Sequence, residues 1–415
     1  MQTSLAPEFA DTAKGKEAEA IIRKCVHCGF CNATCPTYQL LGDELDGPRG
    51  RIYLMKQLLE GEPANDQMTL HLDRCLTCRA CETTCPSGVE YGKLLAIGRS
   101  ILHLANHRSL VDQLRRIVVA KVVGNARIFD LLLSFGKVVR SILPASLKSS
   151  VTASITPANA RSIPEWPKPS HKRTMVALAG CVQGSLSPMT NLAAAVVLDK
   201  LGITLIEVAG AGCCGAMDLH TTNENRAKKL AKALIDKWWP YLAQGIEGFV
   251  MTASGCGVTI LEYPHLFQDE PNYREKAKAI SGKTVDLCEV IDKEMDKETD
   301  KEVAAAFRVP DTAQKVAFHS PCTLQHGQKI TGRVEKILQR VGYQLCKVED
   351  SHLCCGSAGT YSIFQPEISS QLRTAKLRAL YNDNPNIVCT ANVGCQVHLN
   401  MNDHARVKHW VELLL

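Results

Sequence analysis

Aromatic side chains are scarce in this chain. Phe, Trp and Tyr make up 5% of its 415 residues, so its cores must be built from Leu, Val, Ile and Ala. Charge of one sign is also lacking. A formal net charge of +6 over this length argues for no particular partner. With no interleaving of basic and aromatic residues, no nucleic-acid binding is expected. The opening stretch MQTSLAPEFADTAKGKEAEAIIRKC lacks the apolar run of a secretory signal, so the chain is not expected to be exported. Long hydrophobic runs are missing too, with one exception. Residues 174–198 carry no charge and are long enough to cross a bilayer. Pro188, Gln183, Asn191 and the internal glycines instead predict a buried strand, a turn and a buried helix. No transmembrane span is expected.

Cysteine is abundant, at nineteen residues. Without export, disulfides are not expected, and grouped thiols read as metal ligands. Residues 25–36 are CVHCGFCNATCP and residues 75–86 are CLTCRACETTCP. Both follow C-x2-C-x2-C-x3-C-P, the spacing of bacterial two-cluster ferredoxins. Three thiolates of one tight loop grip one [4Fe–4S] cubane, and the fourth, fixed by the following proline, reaches the other. The expected sets are Cys25, Cys28, Cys31 and Cys85 for one cluster, and Cys75, Cys78, Cys81 and Cys35 for the second. Paired zinc sites explain neither the third and fourth cysteines nor the proline. His27 reads as a neighbour of the first cluster rather than a ligand. Between the motifs, GDELDGPRGRIYLMKQLLEGE predicts a turn and an amphipathic helix covering the clusters. Its Arg49 and Arg51 either offset thiolate charge or form an exposed basic turn.

Residues 99–148 hold nine Lys or Arg against two acids, with apolar residues at helical spacing. They read as basic amphipathic helices. These either cover the cluster unit or dock on an acidic partner or anionic membrane face. TPANARSIPEWPKPSHKR, 156–173, reads as a linker.

Beyond it the chain repeats itself. Cys181, Cys213-Cys214-Gly215 and Cys256 in the first copy correspond to Cys322, Cys354-Cys355-Gly356 and Cys395 in the second. The first interval is 32 positions in both copies. Strand and helix alternate, with helices expected near 189–201, 224–239, 329–341 and 366–381, so the strands should be parallel. Each repeated cysteine falls just past a strand C-terminus, where such sheets gather ligands. Each copy thus offers four thiols for further metal, and the glycine lets both adjacent sulfurs face one site. GAGCCGAMD, 210–218, matches Gly-x-Gly-x-x-Gly, but only its Cys-Cys-Gly recurs. The acidic residue a dinucleotide site needs is also missing, since Asp236 falls within a helix. No NAD or flavin loop is expected. Cys288, Cys346 and Cys389 align with apolar positions and read as packing residues. His319, His326 and His352 read as local hydrogen-bonding residues.

A two-cluster ferredoxin unit followed by two CCG domains resembles a known family. It comprises the iron–sulfur subunits of glycolate oxidase, anaerobic glycerol-3-phosphate dehydrogenase and lactate-utilisation systems, and heterodisulfide reductase. Segments such as GFCNATCPTYQLLGDELDGPRGRIYLMKQLLEG, TASGCG, FHSPCTLQHGQK and DSHLCCGSAGTY are similar to the glycolate oxidase branch. The resemblance implies an electron conductor. FAD-containing partner subunits would oxidise glycolate to glyoxylate, and a quinone or other membrane acceptor would take the electrons. Its place would be peripheral, on the cytoplasmic side of the inner membrane. The full pattern of the family ends each CCG domain in CxxC. Here Ala253 and Asn392 take the first of those places, so additional clusters and metal-free sites both stay open. The expected architecture is a multidomain α+β and α/β chain. It has a helical ferredoxin-like domain (1–100), a basic helical segment and linker (101–170) and two mainly parallel CCG domains (171–309 and 310–415).

Overall fold

The structure, a computed structural model, describes residues 1–105, 108–138, 164–299, 302–303, 306–307, 314–401 and 405–415. Most of the expected linker therefore lies outside the described residues. By its contacts the chain divides into two units. One is Met1–Val118 with His352–Lys376; the other is Val119–Ser351 with Leu377–Leu415. The segment 352–376, expected within the last domain, thus associates with the N-terminal residues.

The first unit is helical. Ala13–Lys24 is capped by Thr12, whose hydroxyl accepts from Gly15 N–H. Asn65 does the same for Asp66–Asp73. Pro48 opens the helix Pro48–Leu59, where its missing N–H costs nothing. Their apolar faces meet Tyr91–Leu104 in a core of Ile21, Ile22, Met55, Leu59, Leu72 and Leu94, each under 3% exposed. The two cysteine loops are pinned to this core. The basic helices Leu110–Val123 and Ala126–Val138 are present as expected. They leave Leu114, Leu131 and Phe135 more than 60% exposed.

The second unit holds two four-stranded parallel sheets. Their strands are β1 Arg173–Ala177, β2 Ile203–Glu207, β3 Gly248–Met251 and β4 Thr284–Asp286, then β5 Lys315–His319, β6 Gln344–Leu345, β7 Ile387–Thr390 and β8 Val407–His409. The orders are β2-β1-β3-β4 and β6-β5-β7-β8. Met175 pairs with Leu205 and Phe318 with Cys389. The uncharged run 174–198 folds as β1, a turn and the helix Met189–Lys200. Among the described residues no helix is long and apolar enough to cross a membrane.

The repeat is reciprocal in packing. Leu287–Met295, which follows β4, packs on Arg333–Arg340 of the second copy. Trp410–Leu414, which follows β8, packs on Met189–Lys200 of the first. One core results, with Leu198, Ile291, Ile337, Leu338, Trp410 and Val411 almost fully buried. Asp286 with Glu289, and His409 with Glu412, form capping boxes at equivalent places.

Candidate metal centres

In the motifs at 25 and 75 the backbone turns left-handed at equivalent places. His27 and Gly29 have φ of 57° and 84°, Thr77 and Arg79 of 56° and 61°. Three of these are not glycine, a strain of roughly 1 kcal/mol or more each that functional loops tolerate. Such winding turns successive N–H groups inward. Thr77 N–H points at Cys75 Sγ, 3.4 Å away.

A cavity of about 440 Å³ is lined by Cys25, Cys28, Cys31 and Cys85, with Cys81, His27 and Arg49 also on its wall. A second of about 300 Å³ is lined by Cys35, Cys75, Cys78 and Cys81, with Thr37 and Arg51. Pro48, Cys81 and Tyr91 line both, so the two abut. Each therefore gathers one of the sets of four expected from the spacing. All these thiols are unpaired by disulfides.

The chemistry of the donors suits a cationic cluster. Burial pushes the Cys31 thiol up to about 11, helped by Cys25, Cys28 and Cys85. Burial also raises Cys81 well above the ordinary thiol range, with Cys78, Cys75 and Cys35 adding to it. Four thiolates therefore do not coexist in either cavity unless bound metal supplies the opposing charge.

Sequence reading left Arg49 and Arg51 undecided, and the structure separates them. Arg49 is partly exposed and pairs with Glu44 at 2.6 Å. Arg51 is 1% exposed. It donates to Asp46 Oδ1 at 3.2 Å, to Thr37 Oγ1 at 3.1 Å and to His71 O at 2.7 Å. Asp46, fully buried, also accepts from Arg74 at 2.9 Å and meets His71 Nδ1 at 3.0 Å. The motif spacing gave no sign of this network. Its members run from Thr37 to Arg74 and meet only on folding.

At the first Cys-Cys-Gly site, Cys181, Cys213, Cys214 and Cys256 form a continuous line of sulfur contacts. Hydrogen bonds from Cys181 and then Cys214 hold Cys213 well below the thiol range, and Gly215 N–H, 3.4 Å from Cys213 Sγ, helps. Arg226 adds positive charge and is itself held by Asp218 at 3.0 Å. Tyr263 Oη donates to Cys214 O at 2.7 Å. Ala253 is buried among Leu186 and Val393 and brings no sulfur.

Of the second copy's cysteines, Cys354 and Cys355 belong to the first unit, Cys322 and Cys395 to the second. All four are buried. Gly356 N–H lies 3.4 Å from Cys354 Sγ, and Asn392 Nδ2 donates to Cys395 Sγ at 3.5 Å. A ring nitrogen of His319 lies within 4.8 Å of Cys395 Sγ. Cys288 and Cys389 are fully buried in the apolar core. Cys346 is half-buried, its Sγ 3.9 Å from Asp383 O.

A family model described as a 4Fe-4S dicluster domain matches residues 21–89, and one described as a cysteine-rich domain matches 175–261 and 316–400. The "Glycolate oxidase iron-sulfur subunit" of Escherichia coli is 47% identical over 100% of this chain and 98% of its own length. This chain belongs to the family of glycolate oxidase iron–sulfur subunits. Within that family, the "Probable glycolate oxidase iron-sulfur subunit" of Bacillus subtilis is 29% identical over 97% of this chain and 95% of its own. "Lactate utilization protein A" of an Exiguobacterium species is 27% identical over 56% of this chain and 94% of its own.

Proposed function

We propose that this chain is the electron-transfer subunit of a glycolate oxidase (dehydrogenase) complex. FAD-containing partners oxidise glycolate to glyoxylate, and this chain passes the electrons toward a quinone-type membrane acceptor. The observation that carries the reading is the pair of abutting cavities, walled by five and four cysteines with Cys81 common to both, in a chain so similar to a glycolate oxidase subunit. Cys25, Cys28, Cys31 and Cys85 would hold one [4Fe–4S] cluster, and Cys35, Cys75, Cys78 and Cys81 the other. Clusters so held supply one-electron carriers. The protein's part is to fix their spacing through shared wall residues and to keep water from the buried sulfurs. The substrate-oxidising site belongs to a partner chain. Cys181, Cys213, Cys214 and Cys256 are proposed to hold further metal, supported by their unbroken line of sulfurs.

The chain would sit peripherally on the cytoplasmic side of the inner membrane. Supporting this, Leu110–Val123 and Ala126–Val138 expose Leu114, Leu131 and Phe135 beside Arg115, Lys121 and Arg127, a composition suited to an anionic lipid surface.

Replacing Cys28 or Cys78 by Ser in the assembled complex should abolish glycolate-dependent dye reduction while the partner keeps its flavin. Unchanged turnover overturns the conductor role. A lactate-oxidising system is the second reading, favoured by the likeness to lactate utilization protein A. Identifying the co-purified flavoprotein separates the two.

A further inference from the structure

The two cysteine cavities are electrostatically unequal. Around the first, Cys28 is exposed and Cys31 and Cys85 are half-buried. The neighbouring Arg49 is partly in solvent and neutralised by Glu44. Around the second, Cys35, Cys75 and Cys81 are buried, and the charge beside them is buried too. Arg51 lines that cavity. Its Nη1 reaches Thr37 Oγ1, which lies 3.3 Å from Cys35 Sγ. The carboxylate of Asp46 does not cancel it, because Asp46 is shared with Arg74. Two guanidiniums on one carboxylate leave the network net positive. Tyr91 Oη adds a hydrogen bond to Cys75 Sγ at 3.6 Å, and Arg99 Nη2 donates to Cys75 O at 2.8 Å.

We propose that Arg51 is a positioning residue for the electron. Its buried charge holds the group bound by Cys35, Cys75, Cys78 and Cys81 at a higher reduction potential than the group bound by Cys25, Cys28, Cys31 and Cys85. This rests on the iron–sulfur reading above. The exchange moves one electron. The Cys25 side is oxidised and the Cys75 side reduced, with no proton and no further reactant. Burial alone disfavours the added negative charge on the Cys75 side. The same low dielectric, however, strengthens the field of a fixed charge beside it, and net local charge and hydrogen bonds to the sulfurs set cluster potentials. Burial opposes the charge on Arg51 itself, yet a guanidinium keeps its proton in a protein and Asp46 pairs with it at 3.2 Å.

The test is a redox titration of the anaerobically purified chain followed by electron spin resonance. Cys28→Ser and Cys78→Ser each alter one signal and so assign them. Arg51→Met should shift the electron partition at least tenfold toward the Cys25 side, about 59 mV for a one-electron couple. Arg51→Lys should restore most of it. Asp46→Asn removes the counter-charge and should move the Cys75-side potential the other way. A merely structural network predicts no such opposition of sign. Equal movement of both signals, no movement, or shifts of one sign in Arg51→Met and Asp46→Asn overturns the inference. Should Arg51→Met fail to load iron, Asp46→Asn still decides it: a rise confined to the Cys75-side potential supports the inference, and no rise or an equal movement of both signals overturns it. A colourless, iron-free wild-type protein overturns the iron–sulfur reading along with it.

Discussion

Gly215 and Gly356 each follow a Cys-Cys pair with φ of +87° and +92°. A Cβ there would come within 3.0 Å of Ala227 O at the first and 2.7 Å of Ser369 O at the second. Both the dihedral and the space demand glycine. Gly215→Ala should therefore cost more than about 1 kcal/mol and detach the N–H that supports Cys213. A lower Tm together with faster labelling of Cys213 by a thiol reagent checks this. Sulfur roles separate in the same way. Cys389 sits fully buried in apolar core, so Cys389→Ser should destabilise by about 1–3 kcal/mol through an unsatisfied hydroxyl and leave iron content unchanged. Cys75→Ser should instead remove iron. Iron and stability measured side by side on both variants distinguish ligand from packing residue.

Elements carry the reciprocity of the repeat. Arg333–Arg340 presents Val334, Ile337 and Leu338 to Leu287–Met295, across the two copies. Leu338→Ala leaves a cavity on that seam and should cost about 2–5 kcal/mol, read as a lower denaturant midpoint. Iron bound in the N-terminal unit should not change, since Leu338 belongs to the other core. The helices expected near 189–201, 224–239 and 366–381 lie where the residue pattern places them, at Met189–Lys200, Glu224–Ala243 and Pro366–Tyr381. That near 329–341 starts only at Arg333, because Lys329 and Gly332 before it take left-handed φ of 60° and 75°. β4 and β8 have three residues each, too few to announce a period of two. They are strands because a parallel neighbour offers hydrogen bonds.

At the scale of the whole molecule, pH acts through buried groups. His409 is fully buried and donates from Nε2 to Thr252 O, at 2.9 Å. Burial depresses its pKa from 6.5 to about 4. The unfolded chain then binds the extra proton first, so stability present above pH 6.5 is lost as pH falls toward 4. The loss from this residue amounts to about 3 kcal/mol across the window. Urea midpoints at pH 7 and pH 5 should differ less in His409→Asn, which keeps a cap and loses the titration. Iron per chain is the other global measure. About eight irons should come from two cubanes. An excess that disappears with Cys213→Ser would place metal at the first Cys-Cys-Gly site.

Local chemistry was decided by the sequence itself: two identically spaced cysteine motifs, a doubled Cys-Cys-Gly register and an alternation of strand and helix. These are written in adjacent or evenly spaced residues, whose geometry depends on few bonds. Tertiary structure decided what distant residues share. It buried Arg51 with Asp46, His71 and Arg74 while leaving Arg49 partly in water. It also drew His352–Lys376 toward the N-terminal residues and locked each copy's last helix onto the other copy. No local pattern encodes those outcomes, because burial and charge pairing are properties of the packed chain and exist only once its segments have met.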